Sequence, residues 1–121
     1  MALCYIVDDH IDTREGFAEY LRWQGFDVRT AASAGEFREL IAQTLPGAVV
    51  MDLVLPGTDG FALTREIKAN PRTRAVPVLV VSASVRQQDR ESAERAGSDA
   101  FLPKPCDPQV IVSELHRLIG N

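Results

Sequence analysis

Apolar residues along this chain gather in short runs that stop abruptly at polar ones. Leu3-Cys4-Tyr5-Ile6-Val7 is continuous and apolar, then breaks at Asp8-Asp9. Such a run is the mark of a strand covered on both faces. A 3.6-residue pattern with Phe17, Ala18 and Leu21 on one face predicts a helix over Ile11 to Trp23, stopped by Gln24-Gly25. Phe26 to Thr30 alternates, as a strand nearer a sheet edge does. Ser33 with Glu36 is a capping-box pattern opening a second helix on Phe37, Leu40 and Ile41. Past the Pro46-Gly47 break, Val49-Val50-Met51 predicts a third strand that runs into Asp52. A loop at Pro56-Gly57 and a helix start at Asp59-Gly60 follow, with Phe61, Leu63 and Ile67 inward and a stop at Asn70-Pro71. Val76 to Val81 predicts a fourth strand, ending at Ser82. The next helix, Val85 to Ala96, has almost no large apolar residue, and Gly97 caps it. Ala100-Phe101-Leu102 is a short fifth strand before Pro103-Lys104-Pro105, and Asp107 opens a last helix on Ile111, Leu115 and Leu118.

Strand and helix alternate five times with short connections. That predicts an α/β fold with a parallel sheet and helices on both faces. A length of 121 residues fits one domain over residues 1–121. Net charge is -4, which argues against sequence-independent binding of nucleic acid. No apolar run reaches membrane-spanning length, and no basic leader precedes the first strand. Cys4 and Cys106 are too far apart in sequence to suggest a zinc site or a disulfide framework. A reducing, cytoplasmic setting is expected.

Parallel strands share one C-terminal edge, and the residues that end the runs meet there: Asp8 and Asp9, Asp52, Ser82, and Lys104. Clustered carboxylates repel unless a cation intervenes, and oxygen donors of this kind suit Mg2+. An ammonium and a hydroxyl opposite would complete a cradle for a transferring phosphoryl group, with Asp52 as nucleophile.

The chain resembles the receiver domains of two-component response regulators over essentially its whole length. The resemblance rests on Val7-Asp8-Asp9, Met51-Asp52-Leu53 with Leu55-Pro56-Gly57 and Asp59-Gly60, Val81-Ser82-Ala83, and Phe101 with Lys104-Pro105, each set after a strand. It implies a flavodoxin-like, doubly wound five-stranded sheet in the order 2-1-3-4-5 with five helices. It implies that Asp52 accepts a phosphoryl group from a histidine kinase or phosphotransfer protein. It assigns Mg2+ to Asp9, Asp52 and the Val54 carbonyl, with Asp8 acting through water, and the phosphoryl oxygens to Ser82 and Lys104. It implies a switch in which Ser82 and Phe101 rearrange and alter the surface of the fourth helix, fifth strand and fifth helix toward a downstream protein or effector domain, or toward a second phosphorylated copy. A cis Lys104–Pro105 peptide is also implied. The chain departs from many relatives in three ways. Phe101 lacks a phenol oxygen, Cys106 stands where an aromatic residue is common, and Val54 and Ser84 occupy positions that tune water access. Val54 cannot orient water, so slow self-dephosphorylation is expected.

Other readings of these residues are weaker. A phosphatase or dehalogenase using Asp52 would want a second acid two residues on, where Val54 stands. A flavin or nucleotide binder would want a glycine- or hydroxyl-rich loop after the first strand, where Asp8-Asp9-His10-Ile11-Asp12 is acidic. A degenerate receiver acting as an interaction module would not need the complete acidic set. His10 reads as a solvated first-turn residue, with metal ligation the alternative. His116 reads as surface, and Cys106 as a bystander thiol rather than a redox site.

Overall fold

The computed structural model of the chain describes residues 2–83 and 86–120. Its elements are β1 (Leu3–Val7), α1 (Ile11–Trp23), β2 (Asp27–Ala31), α2 (Ala34–Gln43), β3 (Ala48–Met51), β4 (Val54–Leu55), β5 (Thr58–Asp59), α3 (Gly60–Ala69), β6 (Val78–Ser82), α4 (Gln87–Ala96), β7 (Ala100–Pro103) and α5 (Pro108–Ile119). Five parallel strands form one sheet in the order β2-β1-β3-β6-β7. Counting only these five, that is the doubly wound 2-1-3-4-5 order.

Alternation within the strands sorts the core into two layers, because successive side chains of a strand leave opposite faces. Tyr5, Val7, Val49, Met51, Val78 and Val80 pack with Phe37 of α2, Leu63 and Ile67 of α3, and Ala93 of α4. Cys4, Ile6, Ala48, Val50, Leu79 and Val81 pack with Phe17 and Leu21 of α1 and with Ile111 and Leu115 of α5. The continuous apolar runs are therefore the strands that need two covered faces. β2, at the edge, buries only Val28 and Ala31.

Local chemistry sets the boundaries. Ser33 Oγ accepts the Glu36 N–H at 3.2 Å, and Glu36 Oε1 accepts the Ala32 N–H at 2.9 Å, a reciprocal cap on α2. Asp59 Oδ1 accepts the Ala62 N–H at 2.7 Å at the start of α3, and Asp107 caps α5 through the Gln109 N–H at 2.9 Å. α4 ends on Gly97, at φ 100°, the left-handed conformation that glycine adopts without strain.

Several boundaries differ from the sequence expectation: β2 runs over Asp27–Ala31 rather than from Phe26 to Thr30, and β7 extends to Pro103. β6 begins at Val78 rather than Val76, because Pro77 has no N–H to give and the Val76 N–H turns back to Thr73 O at 2.9 Å. β6 ends at Ser82 as expected, where Ser82 pairs with Pro103 of β7. The loop after Asp52 folds into a small antiparallel ladder, β4 with β5, around Pro56-Gly57. Gly57 there has φ 76°, which a type II turn requires at its second central residue. Ser84 and the expected helix start at Val85 lie outside the described residues. No helix among the described residues is long and apolar enough to cross a membrane.

Candidate functional site

The sheet register gathers the run-ending residues at one edge. Val7 pairs with Met51, and Met51 with Val80, so Asp8 and Asp52 emerge level with each other, and Ser82 follows one residue beyond that level on β6. Each is fastened by its backbone. The Asp8 N–H donates to Ala31 O at 3.0 Å, the Asp52 N–H to Val7 O at 2.9 Å, and the Lys104 N–H to Ser82 O at 2.8 Å. Asp8, Asp52 and Ser82 are all buried. The Lys104–Pro105 peptide is cis, as the resemblance implies.

Gly60 is a positioning residue that the periodicity does not single out. Its N–H donates to Leu53 O at 2.8 Å. A Cβ on it would strike the Asp52 carbonyl oxygen and lie 2.9 Å from Leu53 Cα. Only glycine lets α3 start this close behind the Asp52 backbone.

The side chains form a charge cluster. Lys104 Nζ lies 2.8 Å from Asp8 Oδ2 and 3.5 Å from Asp52 Oδ2. Asp8 Oδ1 accepts the His10 N–H at 2.9 Å, and Arg14 donates to the Asp8 carbonyl at 3.0 Å. Asp52 Oδ1 faces the Val54 N–H at 3.4 Å. Burial raises the Asp52 pKa and the nearby Asp8 raises it further, while Lys104 and the Val54 N–H oppose both without cancelling them. Burial alone would lower Lys104, but Asp8 and Asp52 outweigh it and hold the ammonium above its ordinary value. Below its ordinary pKa, Lys104 therefore stays charged and lends stability that is lost only at still higher pH.

Asp8, Asp9, His10 and Asp52 each offer one ligand atom, and these atoms lie within 4.8 Å of one another. Three carboxylates face one ammonium, so the donor set is oxygen-rich and under-neutralised. That fits a hard divalent cation such as Mg2+. Asp8 places one oxygen on Lys104 and the other on the His10 N–H. A cleft of about 380 Å3 opens over the cluster, lined by His10, Thr13, Asp52, Val54, Ser82, Ala83 and Lys104. Val54 stands exposed at its mouth. A second hollow of about 530 Å3 shares Thr13, Ala83 and Lys104 with it and extends to Phe17, Pro105 and Cys106. Phe101 is half-buried against the core, with the Arg90 guanidinium carbon 5.0 Å from its ring centroid. Both thiols are held protonated: burial pushes Cys4 up to about 12, and burial with Asp107 raises Cys106. Neither is set up for redox chemistry.

A parallel sheet wound on both faces, with acids and an ammonium gathered at its C-terminal edge, defines the class: an α/β protein with a charged ligand cleft at the switch of its strand order. The pattern of the family described as Response regulator receiver domain matches residues 4–116, and the chain belongs to that family. It is a signalling domain of the kind found in two-component response regulators. The protein PilH of Pseudomonas aeruginosa is 30% identical over 121 residues, covering 100% of both chains. The transcriptional regulatory protein GltR of the same organism is 31% identical over 114 residues, 94% of this chain but 47% of its own length. The chain thus spans about half of one relative and the whole of the other. The crystal structure of the signal receiver domain of a signal transduction histidine kinase from Syntrophus aciditrophicus is 27% identical, with a TM-score of 0.92 over 99% of this chain and 91% of that one.

Proposed function

We propose that Asp52 is the phosphoacceptor of a phosphorelay, taking its phosphoryl group from a phosphohistidine on a histidine kinase or phosphotransfer protein. The observation that carries this is the Lys104 ammonium, 2.8 Å from Asp8 and 3.5 Å from Asp52 inside one cleft. An Asp52 oxygen attacks phosphorus as the P–N bond breaks, and the imidazole leaves with the electron pair and is protonated. Lys104 then releases its hold on Asp52 and meets the new phosphoryl oxygens, with the Ser82 hydroxyl donating from the neighbouring strand. Asp9, Asp52 and the Val54 carbonyl would hold Mg2+, with Asp8 behind a water. When bound, the cation offsets the charge that accumulates on the transferring oxygens. It also favours ionised Asp52, against the burial that raises its pKa.

Movement of Ser82 toward the phosphoryl group frees space for Phe101, whose ring is only half-buried beneath Arg90. α4 rests on two buried alanines, Ala93 and Ala96, so its displacement costs little apolar contact. The altered α4-β7-α5 surface then meets a downstream protein, an effector domain or a second copy. Exposed Val54 offers no group to orient water, so the acyl phosphate is long-lived. The domain acts on no substrate but its own phosphoryl group and works in the cytoplasm without binding nucleic acid directly.

The test is to incubate the protein with Mg2+ and a small phosphodonor and weigh it. One phosphoryl increment is expected, absent in Asp52→Asn and without Mg2+, and decaying slowly after the donor is removed. An unchanged increment in Asp52→Asn, or no increment with any donor, overturns the assignment. A decay within seconds overturns the role of Val54.

A further inference from the structure

His10 sits where a solvated helix-start residue is expected, yet its imidazole is turned toward the acids. Nδ1 lies 3.2 Å from Asp9 Oδ1 and 3.4 Å from Asp8 Oδ1. The backbone explains the aim. The His10 N–H donates to Asp8 Oδ1 at 2.9 Å, an Asx turn that folds the chain back over the strand end. His10 is then the N-cap of α1, with extended φ -84° and ψ 110°, but its side chain caps no helix N–H. It is not needed to start the helix, and at 69% side-chain exposure it contributes little to the core.

One nitrogen nearly equidistant from two carboxylate oxygens is poorly placed as a single hydrogen-bond donor, which would favour one partner at about 2.9 Å. It is well placed as one corner of a shared coordination sphere. Six ligands at roughly 2.1 Å put adjacent donors about 3.0 Å apart and opposite donors about 4.2 Å apart. The spacing of 3.2 Å to Asp9 Oδ1 matches adjacent corners, and the 4.8 Å span of the whole group leaves room for opposite ones. The nitrogen also changes the chemistry. Carboxylate and carbonyl oxygens suit Mg2+, whereas imidazole suits Ni2+, Zn2+ and other later first-row ions.

We propose that His10 is a direct ligand of the divalent cation at this cleft, and that its nitrogen moves the site's preference from Mg2+ toward later first-row cations. The inference rests on the reading of Asp9 and Asp52 as cation ligands and adds a metal-specificity residue to it. His10→Ala removes the nitrogen without touching a carboxylate, and His10→Gln keeps the bulk while replacing the imidazole with an amide.

The test uses the full chain without phosphodonor. Pulsed electron paramagnetic resonance on the Mn2+-loaded protein is expected to show nitrogen-14 coupling in the wild type, lost in both His10 variants and retained in His116→Ala, which removes the other histidine. Calorimetric titration is expected to show Ni2+ binding weakened about tenfold or more by His10→Ala, with Mg2+ binding changed less than about threefold. Cation binding with no nitrogen coupling, or an equal loss for Mg2+ and Ni2+, overturns the role of His10 and leaves the acidic site standing. No binding of Mg2+, Mn2+ or Ni2+ to the wild type overturns both.

Discussion

The β1–β3 side of the molecule and the β6–α4–β7 side come from the same alternation of strand and helix, yet they are anchored differently. β1 and β3 are covered on both faces, with Tyr5, Val7, Val49 and Met51 at 0% exposure, and α3 beside them buries Leu63 and Ile67. Gly60 presses that helix against the Asp52 backbone. α4 buries Ala93 and Ala96, both in its C-terminal half, and β7 is half-buried along Ala100, Phe101 and Leu102. The connection that follows α4 is tied down. Lys68 Nζ reaches Arg74 O at 3.2 Å, Val76 O at 2.8 Å and Asp99 Oδ2 at 2.9 Å, and Asp99 Oδ2 also accepts the Val78 N–H at 2.8 Å. A helix whose buried residues are alanines, followed by a connection that is tied down, suits a pivot. On the proposed function, the difference separates two duties: the Asp52 carboxylate is fixed, and the surface proposed to report on it is cheap to move.

The largest expected effect is on the fixed side. Leu63→Ala should cost roughly 3 kcal/mol in denaturant unfolding, the usual scale for a fully buried leucine. Ala93→Gly should cost about 1 kcal/mol, mostly from helix propensity. Equal costs would break the contrast.

Next comes the charge at Asp52. Because burial raises the Asp52 pKa, the folded chain holds this proton more tightly than the unfolded chain. Between the unfolded and folded values the native state binds more protons, so stability falls as pH rises through that window. Above it the ionised carboxylate is a standing cost. Asp52→Asn should therefore stabilise the cation-free protein at pH 7 in denaturant unfolding. Lys104 keeps its closer partner, Asp8, at 2.8 Å. The gain should fade on acidification and vanish below the ordinary carboxylate range. A gain that grows toward low pH would rule out burial of the ionised carboxylate as its cause. The smallest effect is at Arg90. Removing its contact with Phe101 in Arg90→Ala should cost less than about 1 kcal/mol while speeding amide exchange in α4 and leaving β1 and β3 unchanged.

The fold and most of the cleft are legible in the sequence because both are written in one-dimensional signals. Continuous apolar runs mark buried parallel strands, and the residue that ends a run lies at the sheet edge, so the pattern alone gathers Asp8, Asp52, Ser82 and Lys104 at one place. Features that depend on approach between elements are not legible. The β4–β5 ladder pairs only two residues a side, too few to show a period. The reach of the Tyr5 hydroxyl to Leu40 O, near the end of α2, is invisible in an apolar run. The closeness of Gly60 to Asp52, the placing of Arg90 over Phe101 and the turn of His10 toward Asp9 each need a backbone path. Val76 reads as strand because its apolar neighbours continue across Pro77, while the missing proline N–H delays the ladder.

If a fixed acceptor drives a loosely anchored reporter, hydrogen–deuterium exchange with and without the phosphoryl adduct should separate the two. Exchange is expected to change in α4 and β7 and to stay the same within β1, β3 and α3. A complete adduct with no change in α4 and β7, or with changes spread equally through β1 and β3, would contradict that division of labour.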